Sequence, residues 1–139
     1  MRALGIDLGT KRIGLATSDP SGTIATPLST LERSRSVRSD HAALARIVSD
    51  EEIGIVVVGL PLRMNGELGV AAEAAQREAG LLGTFLDVPV ILFDERMTTV
   101  AADRVLKEAS ISASRRRRYV DRVAAAVMLQ SWLDRGCPR

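Results

Sequence analysis

The chain has 139 residues, 46% of them apolar, one cysteine, one histidine and a formal net charge of +2. That length supports one domain, residues 1–139, with a substantial core, while a Cys/His zinc site and an internal disulfide lack the residues they need. No apolar run approaches the roughly 20 residues that span a bilayer, and the first residues show no basic-then-apolar signal layout. A cytoplasmic protein with no membrane partner is expected.

A catalytic triad would have to rest on His41, which opens a predicted helix. If the chain is an enzyme, its acids must do the chemistry. Charge is unevenly spread: residues 50–95 carry two basic and nine acidic groups, and residues 96–139 carry ten basic and four acidic. The basic last third suits a polyanionic partner.

Residues 3–8 and 13–17 are short apolar runs separated by Gly9, Thr10, Lys11 and Arg12, the pattern of a β-hairpin. Asp7 is the odd residue, a carboxylate inside a strand that should be buried, where an unpartnered charge costs several kcal/mol. Two readings stand: a bond to Thr10, Lys11 or Arg12, or a divalent cation held beside the open glycine turn. After the turn Asp19-Pro-Ser-Gly22, residues 23–31 read as a third strand. Pro27 makes it an edge or bulged strand, because proline cannot donate to a ladder.

Residues 33–39 form a polar basic loop, read as solvated or as touching phosphate. Ser39 or Asp40 caps a helix over about 41–50, with Ala43, Leu44, Ile47 and Val48 at helical spacing. Ile53–Gly59 is a continuous β-branched run of the kind found in central parallel strands. Residues 60–66 leave its C-terminal end, where α/β sheets place ligands, so Arg63 and Asn65 become candidate substrate contacts. Asn65-Gly66 is also ordinary turn chemistry.

Residues 68–86 read as a helix with Val70, Ala74, Leu81, Leu82 and Phe85 on one face. A short strand at 90–93 then ends on Asp94-Glu95-Arg96, and Thr98 or Thr99 caps a helix through about Glu108. The last helix carries Val120, Val123, Ala124 and Val127 as its packed face. Asp121 lies on an adjoining strip with Ala125, Met128 and Trp132. Arg115, Arg116, Arg117 and Arg118 stand before this helix or in its first turn, where positive charge opposes the helix dipole. They either serve an outside anion or lie in a loop. Strands alternating with helices after a three-strand meander call for parallel crossovers and an α/β fold.

Asp7, Glu95 (with Asp94) and Asp121 thus form a set of acids at strand and helix ends. Taken singly, each has a structural explanation: Asp94 and Glu95 as partners of Arg96, Asp121 as a partner of Arg118 or Arg122. Three carboxylates brought together would repel and raise one another's pKa. Hard divalent cations resolve that conflict, and two of them about 4 Å apart suit phosphodiester hydrolysis.

Four segments carry a family resemblance in order along the chain: Asp7-Leu-Gly-Thr-Lys-Arg-Ile-Gly14, Val58-Gly-Leu-Pro-Leu-Arg-Met-Asn-Gly66, Asp94-Glu-Arg-Met-Thr-Thr99 and Val120-Asp-Arg-Val-Ala-Ala-Ala-Val-Met-Leu-Gln130. Together they closely resemble the YqgF family, described as pre-16S ribosomal RNA nucleases or Holliday-junction resolvase-like proteins with a ribonuclease H-like fold. The resemblance implies a five-stranded mixed sheet, its first three strands antiparallel, flanked by helices. It also implies that Asp7, Glu95 and Asp121 are the catalytic, metal-binding triad.

The expected activity is a Mg²⁺- or Mn²⁺-dependent endonuclease using two ions and leaving a 5′-phosphate and a 3′-hydroxyl. Lys11, Arg12, Arg63, Asn65 and Arg96 would contact the substrate, and Arg115–Arg118 would add non-specific affinity. Pre-16S ribosomal RNA, within a ribosomal subunit precursor, is the preferred substrate. A four-way DNA junction is the alternative and would call for a homodimer rather than a monomer. A non-catalytic ribosome-associated factor is a third reading. A sugar-kinase or actin-like ATPase, suggested by Asp7-x-Gly-Thr alone, would need a second lobe and a glycine-rich adenosine loop.

Overall fold

The alternating hydrophobic residues of the first strand face two different layers, and the fold follows from that division. In the computed structural model, residues 1–97 and 113–139 are described, with the side chains of 97 and 113–121 left aside. Among them run five strands, β1 (Arg2–Leu8), β2 (Arg12–Ser18), β3 (Ala25–Glu32), β4 (Ile53–Leu60) and β5 (Val90–Asp94), and the helices α1 (Val37–Asp50), α2 (Val70–Phe85) and α3 (Ala113–Asp134). A short 3-10 turn, Glu95–Met97, follows β5 directly.

The strands form one mixed sheet in the order β3-β2-β1-β4-β5. β1 pairs antiparallel with β2, and β2 with β3, as the meander requires; β1/β4 and β4/β5 are parallel. Leu4 and Ile6 of β1 point into a core with Ile13, Leu15, Val56 and Val58, closed by Leu44 and Val48 of α1 and Ala79 and Leu82 of α2. Ala3 points the other way, into a second core with Ile55, Val57 and Phe93, closed by Ala125, Met128, Leu129 and Trp132 of α3. Strand alternation therefore places Gly5 and Asp7 on the α3 side of the sheet.

Small residues bring α3 onto β1. A Cβ at Gly5 would lie 2.9 Å from Leu129 Cβ and 3.1 Å from the Ala125 carbonyl oxygen. Gln130 fastens the helix to the start of β3: its Oε1 accepts from the Ala25 N–H at 2.8 Å and its Nε2 donates to the Thr23 carbonyl at 3.0 Å. Trp132 and Leu133 reach the beginning of β1, lining a cavity with Met1 and Ile55. Because α3 also meets the Glu95–Met97 turn, its earlier residues run toward the end of β1 that carries Asp7.

Several sequence expectations shift. β3 occupies 25–32 rather than 23–31; it is both an edge strand and bulged, the register slipping between Leu15/Ser29 and Ala16/Pro27. α1 begins at Val37, earlier than expected, because Ser36 and not Ser39 or Asp40 is its cap, accepting from the Ser39 N–H at 3.2 Å. Asp40 is drawn inward instead. On α2 the buried face is Ala72, Ala75, Ala79 and Leu82, while Val70, Ala74, Leu81 and Phe85 are exposed. On α3 the strip through Ala125, Met128 and Trp132 is the buried one, together with Val123 and Val127. The helix expected from Thr98 or Thr99 to Glu108 lies outside the described residues. No helix among those described is long and apolar enough to cross a membrane.

The close approach of α3 predicts that Gly5→Ala costs about 1–3 kcal/mol, the usual penalty for overpacking a rigid contact. Urea unfolding of the two proteins measures it, and an unchanged midpoint would contradict the packing.

Candidate active site

Asp7 lies one residue beyond the Ile6/Val58 pair of the β1/β4 ladder, which sets it beside Gly59. Gly59 in turn pairs with Phe93 of β5, and Glu95 follows two residues later. Adjacent strands are about 4.8 Å apart, so β5 stands roughly 10 Å from β1. Glu95 reaches across β4 to Asp7 by passing over Gly59, where a Cβ would overlap the Glu95 carboxylate. A glycine closing a Val-Val-Val run is the sequence signal for such a close approach, and it was not singled out from the sequence.

The two carboxyl groups are hydrogen-bonded. Burial, then the Asp7 charge, the hydrogen bond with Asp7 and the Asp94 charge push Glu95 up to about 7. Glu95 therefore holds a proton in mildly acidic solution and donates it to the Asp7 carboxylate. Asp7 is hydrogen-bonded to another acid, a partner that the simpler reading of the hairpin, with Thr10, Lys11 or Arg12, did not offer.

Asp94 is turned to a different task. Its carboxylate accepts from Arg96 Nε at 3.1 Å, from Arg96 Nη2 at 2.7 Å and from the Arg96 backbone N–H at 2.9 Å. The Arg96 hydrogen bond holds the Asp94 carboxyl below its ordinary range. Arg96, expected to contact substrate, is in this ion pair, and its Nη1 lies 3.4 Å from the Met64 carbonyl. Gly66, at φ +87°, packs on the same guanidinium.

The loop from Leu60 to Gly69 folds back on itself. The Gly66 N–H donates to the Arg63 carbonyl at 2.8 Å, and the Arg63 N–H to the Glu67 carbonyl at 3.1 Å. Asn65 Oδ1 accepts from the Glu67 N–H at 3.0 Å, so this side chain shapes the turn. Arg63 is exposed, and its side chain runs over Gly69 at the start of α2. On the other flank, the Gly9 N–H donates to the Arg12 carbonyl at 3.0 Å, closing the hairpin turn two residues after Asp7; Lys11 is exposed and Arg12 half-buried there.

Asp121 belongs to α3, one helical turn before Ala125, and Arg115–Arg118 occupy the same helix. The side chains of these five residues lie outside the described ones. Among the described residues no group of three metal-ligating side chains assembles. Two of the expected three acids are brought together, and the helix bearing the third runs toward them.

A sequence model described as "RuvX: Holliday junction resolvase" matches residues 1–135. The chain belongs to the RuvX (YqgF) family. Relatives named "Putative pre-16S rRNA nuclease" include a Myxococcus xanthus protein, 50% identical over 134 residues (96% of this chain, 88% of that one), and a Moorella thermoacetica protein, 50% identical over 135 residues (97% and 96%). Among solved structures, Thermus thermophilus RuvC in complex with a Holliday junction substrate aligns with a TM-score of 0.61 at 18% identity, covering 99% of this chain and 97% of that one. That likeness establishes the ribonuclease H-like fold.

The carboxyl pair predicts an unusual pH dependence. Glu95's folded pKa of about 7 exceeds its unfolded value of about 4.3. The folded state keeps a proton that the unfolded chain releases, so stability falls as pH rises from 4.3 to 7. Glu95→Gln removes that loss. In chelator at pH 8 the variant should be more stable than the parent by about 1–2 kcal/mol, allowing for partial exposure, with a much smaller gain near pH 5. Thermal denaturation at the two pH values checks this, and equal stability at pH 8 would contradict it.

Proposed function

We propose that the chain is a divalent-metal-dependent endonuclease acting in 5′-end processing of pre-16S ribosomal RNA in the cytoplasm. The observation that carries this reading is the Asp7–Glu95 pair, two carboxyls held against each other at the end of the sheet with a raised Glu95 pKa. Such a pair fits a hard cation, since its all-oxygen donor set gains a counter-charge for the repulsion it carries. Asp7 and Glu95 would hold Mg²⁺ or Mn²⁺, with Asp121 completing the set from α3. When bound, two such ions supply the activation of water and the stabilisation of the leaving oxygen in phosphodiester hydrolysis.

The chain's own residues do the rest. Glu95 would hold the cation as a carboxylate, without the proton it shares with Asp7. Gly59 keeps the space through which that carboxylate reaches Asp7. Lys11 and Arg12 beside the Gly9–Arg12 turn would contact phosphates on one flank, and Arg63 and Arg96 on the other, Arg96 while still paired with Asp94. Arg115–Arg118 add sequence-independent attraction at the start of α3, and each neutralised phosphate steepens the salt dependence.

The names of relatives covering nearly the whole chain support RNA as substrate. A second reading, a resolvase of four-way DNA junctions, is favoured by the family's description; it requires two active sites on one junction and hence a homodimer.

The test is cleavage of a 5′-extended 16S precursor, as RNA and as precursor subunit, beside a four-way DNA junction, with Mg²⁺, Mn²⁺ or chelator. Metal-dependent cutting of the RNA that leaves a 5′-phosphate and drops at least about 10³-fold in Asp7→Asn is expected. Selective cutting of the junction would favour the second reading. No cutting of any of these, with binding retained in Asp7→Asn, would leave a non-catalytic binding factor.

A further inference from the structure

The segment after β3 is built onto the turn beside the candidate site. The Arg33 N–H donates to the Lys11 carbonyl at 2.9 Å, adding a rung beyond the β2/β3 ladder, and Arg33 Nε donates to the Gly9 carbonyl at 2.9 Å. The remaining guanidinium nitrogens meet Glu78 of α2 at 2.7 and 2.8 Å, and His41 Nε2 meets the same carboxylate at 3.0 Å. Burial pushes Glu78 up, but the hydrogen bonds from Arg33 and His41 outweigh it and leave this carboxyl below its ordinary range. Buried Asp40 accepts from the Ser34 N–H at 2.9 Å and stands 3.9 Å from Arg33 Nη1. Glu78 and Asp40 therefore face inward, Glu78 onto Arg33 and His41 and Asp40 onto Arg33, while Glu32 at the end of β3 is exposed.

Arg35 and Arg38 remain outside. Both are exposed, and among the described residues neither has an ion pair or a side-chain hydrogen bond. Arg38 lies in the first turn of α1, where a cation opposes the helix dipole. Lys11, on the turn that Arg33 grips, is exposed too. Glu32, across the ladder from Arg12, is the acid at the end of β3. Arg35 follows β3 at the same end of the sheet as Asp7, on the face covered by α1 and α2, while Asp7 points to the α3 face, so a backbone joining them passes over the end of the sheet.

The geometry points to a second arm of the nucleic-acid interface: Lys11, Arg35 and Arg38 form a surface that tracks the phosphate backbone of a structured RNA from the Asp7–Glu95 site to the start of α1. It rests on the nuclease reading. Arg33 and Glu78 make the surface rigid by tying the 33–38 segment and the hairpin turn to α2. Exposed guanidinium and ammonium groups suit phosphates, and in an A-form RNA helix the deep, narrow major groove keeps the base edges out of their reach, so the contact is to backbone.

The experiment is fluorescence anisotropy with a labelled stem-loop RNA bearing the 16S 5′ extension, in chelator, across a range of salt concentrations. The proteins are the parent chain, R35Q/R38Q, and R135Q/R139Q, whose arginines are exposed near the opposite end of the sheet. R35Q/R38Q should flatten the plot of log affinity against log salt by about 1.4–1.8 and weaken binding about tenfold at low salt. R135Q/R139Q should bind like the parent. An unchanged slope in R35Q/R38Q overturns the surface, as does an equal loss in R135Q/R139Q, which would reduce the effect to net charge. If the parent binds no RNA, the nuclease reading itself falls; if it binds and only the surface fails, that reading stands.

Discussion

The structure depends on holding two carboxyl groups together where neither can be fully solvated. Asp7 and Glu95 come from strands that are not neighbours, and β4 lies between them. Their contact exists because the strand between them carries Gly59 one residue before its end, which leaves an open lane across the sheet. Repulsion and burial are absorbed by a proton on Glu95. A site of this kind is destabilising for the fold, and its cost is offset by the two cores that flank the sheet. Under the proposed function, this pair would exchange its shared proton for a cation.

The supporting elements follow from that requirement. Parallel β4 and β5 bring Asp94 and Glu95 to the same end of the sheet as Asp7. Asp94 is taken up by Arg96, so the two adjacent acids have opposite electrostatic fates: one is ion-paired and ionised, the other is pressed on its neighbour and protonated below about pH 7. α3 crosses close to β1 because Gly5 and Ala125 have little bulk, and Gln130 anchors it to β3. On the opposite face, Arg33 and Glu78 couple the hairpin turn to α2.

The meander and the two later strands were legible because each announces itself locally, through turn residues, alternation or a β-branched run. Pro27 gave both the edge position and the irregular register of β3. Helix faces were harder to read. α2 packs through Ala72, Ala75 and Ala79 because the sheet approaches closely there, so its larger residues Val70 and Leu81 lie outside. The cap of α1 fell to Ser36 because Asp40 is claimed by Arg33 and the Ser34 N–H, a tertiary demand with no local signature. The pairing of Asp7 with Glu95 was anticipated from chemistry and family motifs, but its route over Gly59 is a property of strand order. The Arg33–Glu78–His41 cluster joins residues far apart in sequence, and no spacing reveals it.

The most direct measurement is calorimetric titration of Mn²⁺ into the protein at pH 6 and pH 8.5, in buffers of different ionisation enthalpy, to count protons released on binding. A Glu95 pKa of about 7 predicts release of close to one proton at pH 6 and almost none at pH 8.5, because ligands must be deprotonated to bind. Binding without proton release at pH 6 would contradict the shared proton, and with it the account of how this site is held ready.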